Sequence, residues 1–318
     1  MESATFIGVD VCQRSLDIGH CGAGEVLKIA NTAASIRRWM AAIPPASHIA
    51  VESTAKLHLP LVHAALAAGH FVYVLNPRDL AHYAQALGRR AKTDRLDALL
   101  IARYLQREHK ELHVYQPPSA LQSQLDELIQ RRHKLVVARQ AQRQSFAQMS
   151  CKLRSATRLA RAYDAAIAEI DERLQRLAAQ DPTLSSASKR LRTIVGFGPL
   201  LAVSMAHAIT RLPFSNADAF IAYSGLDPRP RDSGKLRGRR YLSKRGPAEL
   251  RRLLYTAAMS ASHSKLWRPN YQRLLARGFA TTQALVVLSR KLARIAFSIL
   301  KRNVDFQPEL VKIPCAQP

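Results

Sequence analysis

Cysteine is scarce and follows no pattern: Cys12, Cys21, Cys151 and Cys315 are the only four, and no two stand at CxxC spacing. That argues against a zinc site and a disulfide framework and fits a reducing cytosol. Long apolar runs are missing as well. No stretch of 18 or more apolar residues occurs, so no membrane span is expected. Met1-Glu2-Ser3-Ala4 has neither the basic nor the apolar segment of a secretory leader, which again points to the cytoplasm. Acidic residues are few. The chain has 23 Asp and Glu against 48 Lys and Arg, a formal charge of +25. So large an excess is foreign to an ordinary metabolic enzyme, and a polyanion, nucleic acid first, is the economical partner. Finally, no Gly or Pro occurs between Pro118 and Pro182, so that stretch reads as uninterrupted helix.

What is present is a folded chain. Its 318 residues are 47% hydrophobic, enough for roughly two domains with real cores. The charge is uneven. From Thr183 to Pro318 there are 24 Lys and Arg against 6 Asp and Glu, so +18 of the total lies in the last part of the chain.

The first hundred residues read as short strands, two of which end in acids. Thr5 to Asp10 is a buried strand closing on a carboxylate, with Ser15–His20 and Val26–Ala30 alternating like its antiparallel neighbours. Asn31-Thr32 caps a helix that Pro44-Pro45 ends. His48 to Glu52 is a second apolar strand ending in a carboxylate. A helix over Leu57–Ala68, a strand over Phe71–Leu75 and a helix begun by Asn76-Pro77 follow. The order β-β-β-α-β-α-β-α predicts a mixed sheet with helices on its faces. Asp10 and Glu52 then lie at strand C-terminal ends, where open α/β sheets place their ligands. In Lys92-Thr93-Asp94-Arg95-Leu96-Asp97-Ala98, Thr93 reads as an N-cap, with Asp94 and Asp97 three apart on one helix face. Four carboxylates at one point repel unless a hard divalent cation neutralises them, and two such ions about 4 Å apart suit phosphoryl transfer.

A second constellation lies far downstream. Ser233 precedes Gly234 in a Pro- and Gly-broken loop flanked by Arg229, Arg231, Lys235, Arg237, Arg239, Arg240, Lys244 and Arg245. Guanidinium and ammonium groups there suit a phosphodiester, and the serine is either a phosphate contact or an activated nucleophile. Ser243 is the competing hydroxyl, although Lys244-Arg245 beside it reads better as a phosphate grip. Leu191 to Ala202, with Gly196 and Gly198, resembles the hairpin of a helix-hairpin-helix unit, whose backbone N–H groups can bind phosphate. Arg251 and Arg252 open a later amphipathic helix as further candidate phosphate contacts. His207 and His263 read as helix-packing residues, and Trp267 as an anchor.

Phe6-Ile7-Gly8-Val9-Asp10, Val51-Glu52-Ser53-Thr54 and Lys92 to Ala98 resemble the acidic motifs of the DEDD recombinases. These are the Piv-type DNA invertases and the "IS one-ten" insertion-sequence transposases. Ser233-Gly234, Leu242 to Gly246 and Leu250 to Leu254 are similar to that family's second domain, with Pro247 where relatives often carry Asn. The resemblance covers nearly the whole chain in order. It implies a RuvC/RNase H-like N-terminal domain whose Asp10, Glu52, Asp94 and Asp97 hold Mg²⁺, with Mn²⁺ as an alternative. It further implies that Ser233 attacks the scissile phosphate to form a phosphoserine. The implied partners are donor and target DNA and a structured guide RNA from the protein's own element; the setting is the bacterial cytoplasm.

Between the two constellations, apolar residues recur at coiled-coil spacing from Leu121 to Leu177, interrupted by Arg132, Arg139 and Gln142. One helix of that length spans roughly 90 Å. A hairpin folding back near the polar positions is the other form, and the spacing does not decide. An extended spacer separates the acids from the serine and favours a site completed by a second protomer, hence a homodimer, with a tetramer when two duplexes are joined. The whole reads as α/β plus α: a RuvC-like domain over 1–115, a helical coiled-coil spacer over 116–182, and a basic, mainly α-helical domain over 183–318. A RuvC-like nuclease that uses water, or a non-catalytic nucleic-acid scaffold, are the rival readings.

Overall fold

The computed structural model describes residues 4–22, 25–53, 56–88, 94–151, 153–230 and 240–310, with backbone alone for Asp94, Arg95, Pro230 and Leu310. The chain forms two compact units, Met1–Pro117 and Pro118–Pro318.

The first unit is built on a five-stranded mixed sheet. Its strands are β1 (Phe6–Val11), β2 (Ser15–His20), β3 (Val26–Ala30), β4 (His48–Glu52) and β5 (Phe71–Leu75), in the order β3-β2-β1-β4-β5. The β1-β2-β3 meander is antiparallel, whereas β4 and β5 run parallel to β1. Alternation sorts the side chains onto two faces. Ile7, Val9, Val11, Leu16 and Ile18 face one way, into a core with Ile36, Trp39 and Met40 of α1 (Ala33–Ala42) and Leu61, Val62 and Ala65 of α2 (Leu59–Ala67). Each such buried aliphatic side chain stabilises the fold by about 1.5–3 kcal/mol. Thr32 caps α1 by accepting from the Ser35 N–H. Asn76 does the same for Arg78 at the start of α3 (Pro77–Ala86), where Pro77 takes the first helical position. The element order expected from the sequence is the one found.

The other face carries α4 (Asp94–Glu108), with Ile101 and Leu105 packed against Ala50, Tyr73 and Leu75. Two glycines let this helix lie directly on the strands. A Cβ on Gly8 would stand 2.2 Å from Ala102 N and 2.3 Å from Ala98 O, and one on Gly19 would stand 3.0 Å from Ala98 C and Leu99 N.

The second unit opens with α5 (Ala120–Ala147), whose Ser119 and Gln122 form a capping box, and α6 (Arg154–Gln180). Together they make an antiparallel hairpin. Arg132 holds Asp171 through two bonds of 2.5 and 2.9 Å, and further along Arg139 bonds Asp164. The spacer is therefore folded back, and the 90 Å span of a single helix is not realised. The first helix of the pair runs on to Ala147, beyond the polar positions Arg132, Arg139 and Gln142, before the chain turns back. At the base of the hairpin Leu125, Leu174 and Leu177 join the main core of this unit, whereas Val137, Met149, Leu153 and Leu159 are exposed.

That core is completed by α7 (Pro182–Leu191), α8 (Pro199–Arg211), α9 (Ala217–Ser224), α10 (Ala248–Ser262), α11 (Arg268–Ala276) and α12 (Thr281–Arg302). Trp267 is fully buried in it, and His207 packs with its Nε2 2.9 Å from Asp126 of α5. His263, by contrast, is exposed at the C-terminal cap of α10. A short hairpin of β6 (Pro228–Pro230) and β7 (Arg240–Leu242) interrupts the helices. Among the described residues no helix is long and apolar enough to cross a membrane.

Candidate active site and basic hairpin

The acids gather through the geometry of β1, β4 and α4. Asp10 follows Gly8 on the α4 face of β1. Glu52 follows Ala50 on the same face of β4, one step beyond the Val9–Val51 pairing, so the two acids stand side by side at one level. The direction of α4 follows from its contacts. Its C-terminal end is over the start of β1, where the His109 ring lies 4.8 Å from that of Phe6, and its middle crosses Gly8. Its N-terminal turn, which carries Asp97, thus points toward the strand end that holds Asp10 and Glu52. Asp10, Glu52 and Asp97 are all half-buried. Asp94 begins the same helix. Its side chain, together with Lys92 and Thr93, falls outside the described residues.

The donor set is oxygen alone, the chemistry that hard divalent cations select over nitrogen or sulfur sites. Among the described residues, the Asp94 side chain excluded, no three acidic, His or Cys groups are drawn together into a ligand shell.

One acid on this face escaped the sequence reading. Asp17 of β2 is paired in register with Asp10, and both lie on the α4 side of the sheet. It stands between the apolar Leu16 and Ile18 in an alternating strand, and only 5% of it is exposed. The available signal was Gly19 two residues on, which marks that face as covered.

The described part of the basic loop is a two-stranded stem. Pro228 pairs with Leu242 and Pro230 with Arg240, so the stem brackets residues 231–239. Ser233, Arg231, Lys235, Arg237 and Arg239 lie in that segment, outside the described residues. At the stem base the Ser243 hydroxyl donates to Asp227 and accepts from the Arg245 N–H at 3.3 Å, and the Ser243 N–H donates to Asp227 O at 3.0 Å. Gly225 (φ 70°) and Gly246 (φ 125°) allow the two ends to touch, since a Cβ on Gly246 would stand 1.9 Å from Tyr223 O.

Several expected phosphate contacts are partly engaged inside the protein. Arg251 donates to the carbonyls of Ser224 (3.2 Å) and Gly246 (2.8 Å), tying the stem base together. Arg252 forms two 2.7 Å bonds to the buried Glu249, which also meets Arg132 and His133 of α5. Burial pushes the Glu249 pKa up, but the hydrogen bonds and charges of Arg252 and His133 outweigh it and hold the carboxyl below its ordinary value. Gly196 (φ 98°) sits against α10, where a Cβ would stand 2.7 Å from Ala257 O, so helix packing accounts for that glycine. Gly198 precedes α8 with open space beside it.

Arg229 is 3.4 Å from Asp227, while Arg240 and Lys244 are exposed and Arg245 is half-buried. Nearby Arg290 has its pKa lowered by burial and by the like charges of Arg294 and Arg240, against the pull of Asp218 and Asp227. Such crowding of guanidinium groups favours an arriving anion.

Known proteins are similar to this chain over much of its length. Residues 7–153 match a DEDD family model described as "Transposase", and residues 188–272 match a model described as "Transposase IS116/IS110/IS902 family". The pilin gene-inverting proteins of Moraxella bovis and Moraxella lacunata are each 28% identical over 274 residues, covering 83% of this chain and 83% of theirs. A protein of insertion element IS116 from Streptomyces clavuligerus is 28% identical over 124 residues, 37% of this chain and 30% of its own. Among solved structures, T. thermophilus RuvC in complex with a Holliday junction substrate is matched over 36% of this chain and 100% of that one, at 14% identity and a TM-score of 0.28. The two family models between them span both units, and the chain belongs to the IS110 family of DEDD transposases.

Proposed function

We propose that this transposase cleaves and rejoins DNA by phosphoryl transfer to Ser233, assisted by divalent metal held at Asp10, Glu52, Asp94 and Asp97. The observation that carries the reading is the convergence on one sheet end of Asp10, Glu52 and the N-terminal turn of α4, in a chain of this family. Bound Mg²⁺, or Mn²⁺ in its place, supplies charge neutralisation at phosphoryl oxygens and eases loss of the serine proton. The protein residues do the rest. Ser233 Oγ forms a bond to phosphorus as the P–O3′ bond breaks. The 3′ oxygen takes a proton in place of the one the serine gives up. Return of a DNA 3′-hydroxyl to the phosphoserine reverses the exchange without loss of bond energy.

The basic stem holds the DNA backbone through Arg229, Arg240, Lys244 and Arg245, with Arg231, Lys235, Arg237 and Arg239 in the adjoining segment. A structured RNA from the protein's own element supplies sequence choice by base pairing, which leaves the protein to read backbone and shape. The acids and the serine belong to different compact units. A dimer is proposed to assemble the site, through the exposed apolar residues near the hairpin turn, with a tetramer for two duplexes.

A denaturing gel of DNA cleaved in Mg²⁺ tests the chemistry. The expected product is DNA covalently attached to protein, lost when any of Asp10, Glu52, Asp94 or Asp97 becomes Ala. Nicks without an adduct would establish a water-using nuclease, and binding without cleavage a scaffold.

A further inference from the structure

Asp17 occupies a position that a solvent-facing strand residue does not. It is paired in register with Asp10 and lies on the same face of the sheet, beneath α4. Directly opposed residues on an antiparallel pair have Cβ atoms about 4.5–5.5 Å apart, close enough for two carboxylates to repel. Only 5% of Asp17 is exposed, and its Oδ2 has no hydrogen-bond partner. Among the described residues, the cation beside that oxygen is Lys28 Nζ on edge strand β3, at 3.6 Å, and the Lys28 side chain is 61% exposed. A buried carboxylate oxygen without a hydrogen bond is costly, and one exposed ammonium beyond hydrogen-bond reach offsets little of that cost.

Asp17, Asp10 and Glu52 therefore form a row across three neighbouring strands, β2, β1 and β4, with the N-terminal turn of α4 above it. We infer that Asp17 is a fifth carboxylate of the metal site, which strengthens divalent-cation binding from the β2 side of Asp10. The inference rests on the metal-dependent reading above. A carboxylate beside the ligands, directly or through a metal-bound water, raises the field at the ion and fixes Asp10. Loss of such supporting groups typically weakens metal binding about 10- to 100-fold.

The test uses the full chain without nucleic acid and Mn²⁺ alone as the probe, by isothermal titration. Asp17→Asn keeps the shape and removes the charge. It is expected to weaken Mn²⁺ binding at least tenfold while the metal-free thermal midpoint stays level or rises, because repulsion against Asp10 is relieved. Excess Mg²⁺ should then restore DNA cleavage. Unchanged Mn²⁺ affinity in Asp17→Asn, or a lowered metal-free midpoint with affinity intact, would overturn the inference and leave Asp17 as a partner for Lys28 only.

Lys28→Met approaches the same oxygen from the other side and does not depend on Asp17→Asn folding. Removal of the competing ammonium should tighten Mn²⁺ binding, and equal or weaker binding counts against the inference. Asp10→Ala separates the two levels of the account. If it too leaves Mn²⁺ binding untouched, the metal site itself is misassigned; if it alone weakens binding, only the role of Asp17 fails.

Discussion

The Ser243 hydroxyl donates a hydrogen bond to the Asp227 carboxylate, and that pair closes the base of the strand hairpin that brackets residues 231–239. The bond fixes the separation of the two strands from which Ser233 is carried. Ser243→Ala and Asp227→Ala should each slow single-turnover strand cleavage by roughly 10- to 100-fold, the scale of a catalytic group displaced by about an ångström. DNA affinity should change little, and Ser243→Thr should restore the rate because it keeps the hydroxyl. Wild-type rates in both alanine variants would remove the pair from the mechanism.

Gly8 sets the distance between α4 and the sheet, and so the height of Asp97 relative to Asp10. The contacts that a Cβ would make there, Ala102 N at 2.2 Å and Ala98 O at 2.3 Å, are all backbone and cannot rotate away. Gly8→Ala should lower stability by about 1–3 kcal/mol, the usual cost of overpacking, and should cost more cleavage activity than stability alone explains. Thermal unfolding beside a cleavage assay on the folded fraction checks both.

The strand limits were legible because alternation and capping are local. Thr32 and Asn76 announced their helices, and the acids next to the end of β1 and at the end of β4 stood out after apolar runs. What was hidden depends on partners distant in sequence. Arg132 and Arg139 read as interruptions of an apolar seam, but they pair across the hairpin with Asp171 and Asp164, so the turn falls elsewhere. Arg251 and Arg252 read as phosphate contacts, and their bonds to carbonyls at the stem base and to the buried Glu249 could not be foreseen from the sequence. Asp17 was missed because strand alternation gives a face without saying what covers it.

Glu249 joins α10 to α5 through Arg132 and His133, and its carboxyl is held below the ordinary value of 4.5. A depressed folded pKa stabilises the fold at pH values above the unfolded one, and the benefit is lost as pH falls through the folded value. Stability should therefore decline on acidification below about pH 4.5. Glu249→Gln should remove that part of the decline and cost about 1–3 kcal/mol at neutral pH, because buried charge-assisted bonds are weakened. Thermal midpoints of both proteins between pH 3 and 7 give the comparison. Parallel curves would show that Glu249 is not the titrating group.

Leu153 and Leu159 are 42% and 40% exposed beside the hairpin turn, with Phe146 and Tyr163 lining the cleft between the helices. If copies of the chain associate there, Leu153→Asp together with Leu159→Asp should shift sedimentation to the monomer while helix content is retained. A wild-type assembly in that variant would place the contact between copies on another surface.

The central claim is that Ser233 becomes bonded to DNA, and peptide mapping of the trapped protein–DNA adduct tests it most directly. Cleavage of cognate DNA in Mg²⁺, followed by nuclease and protease digestion and mass spectrometry, should locate a nucleotide phosphate on Ser233. Ser233→Ala should yield neither adduct nor cleavage, and any adduct from Ser243→Ala should still map to Ser233. A nucleotide found on Ser243, or cleavage at the normal rate by Ser233→Ala, would contradict the account.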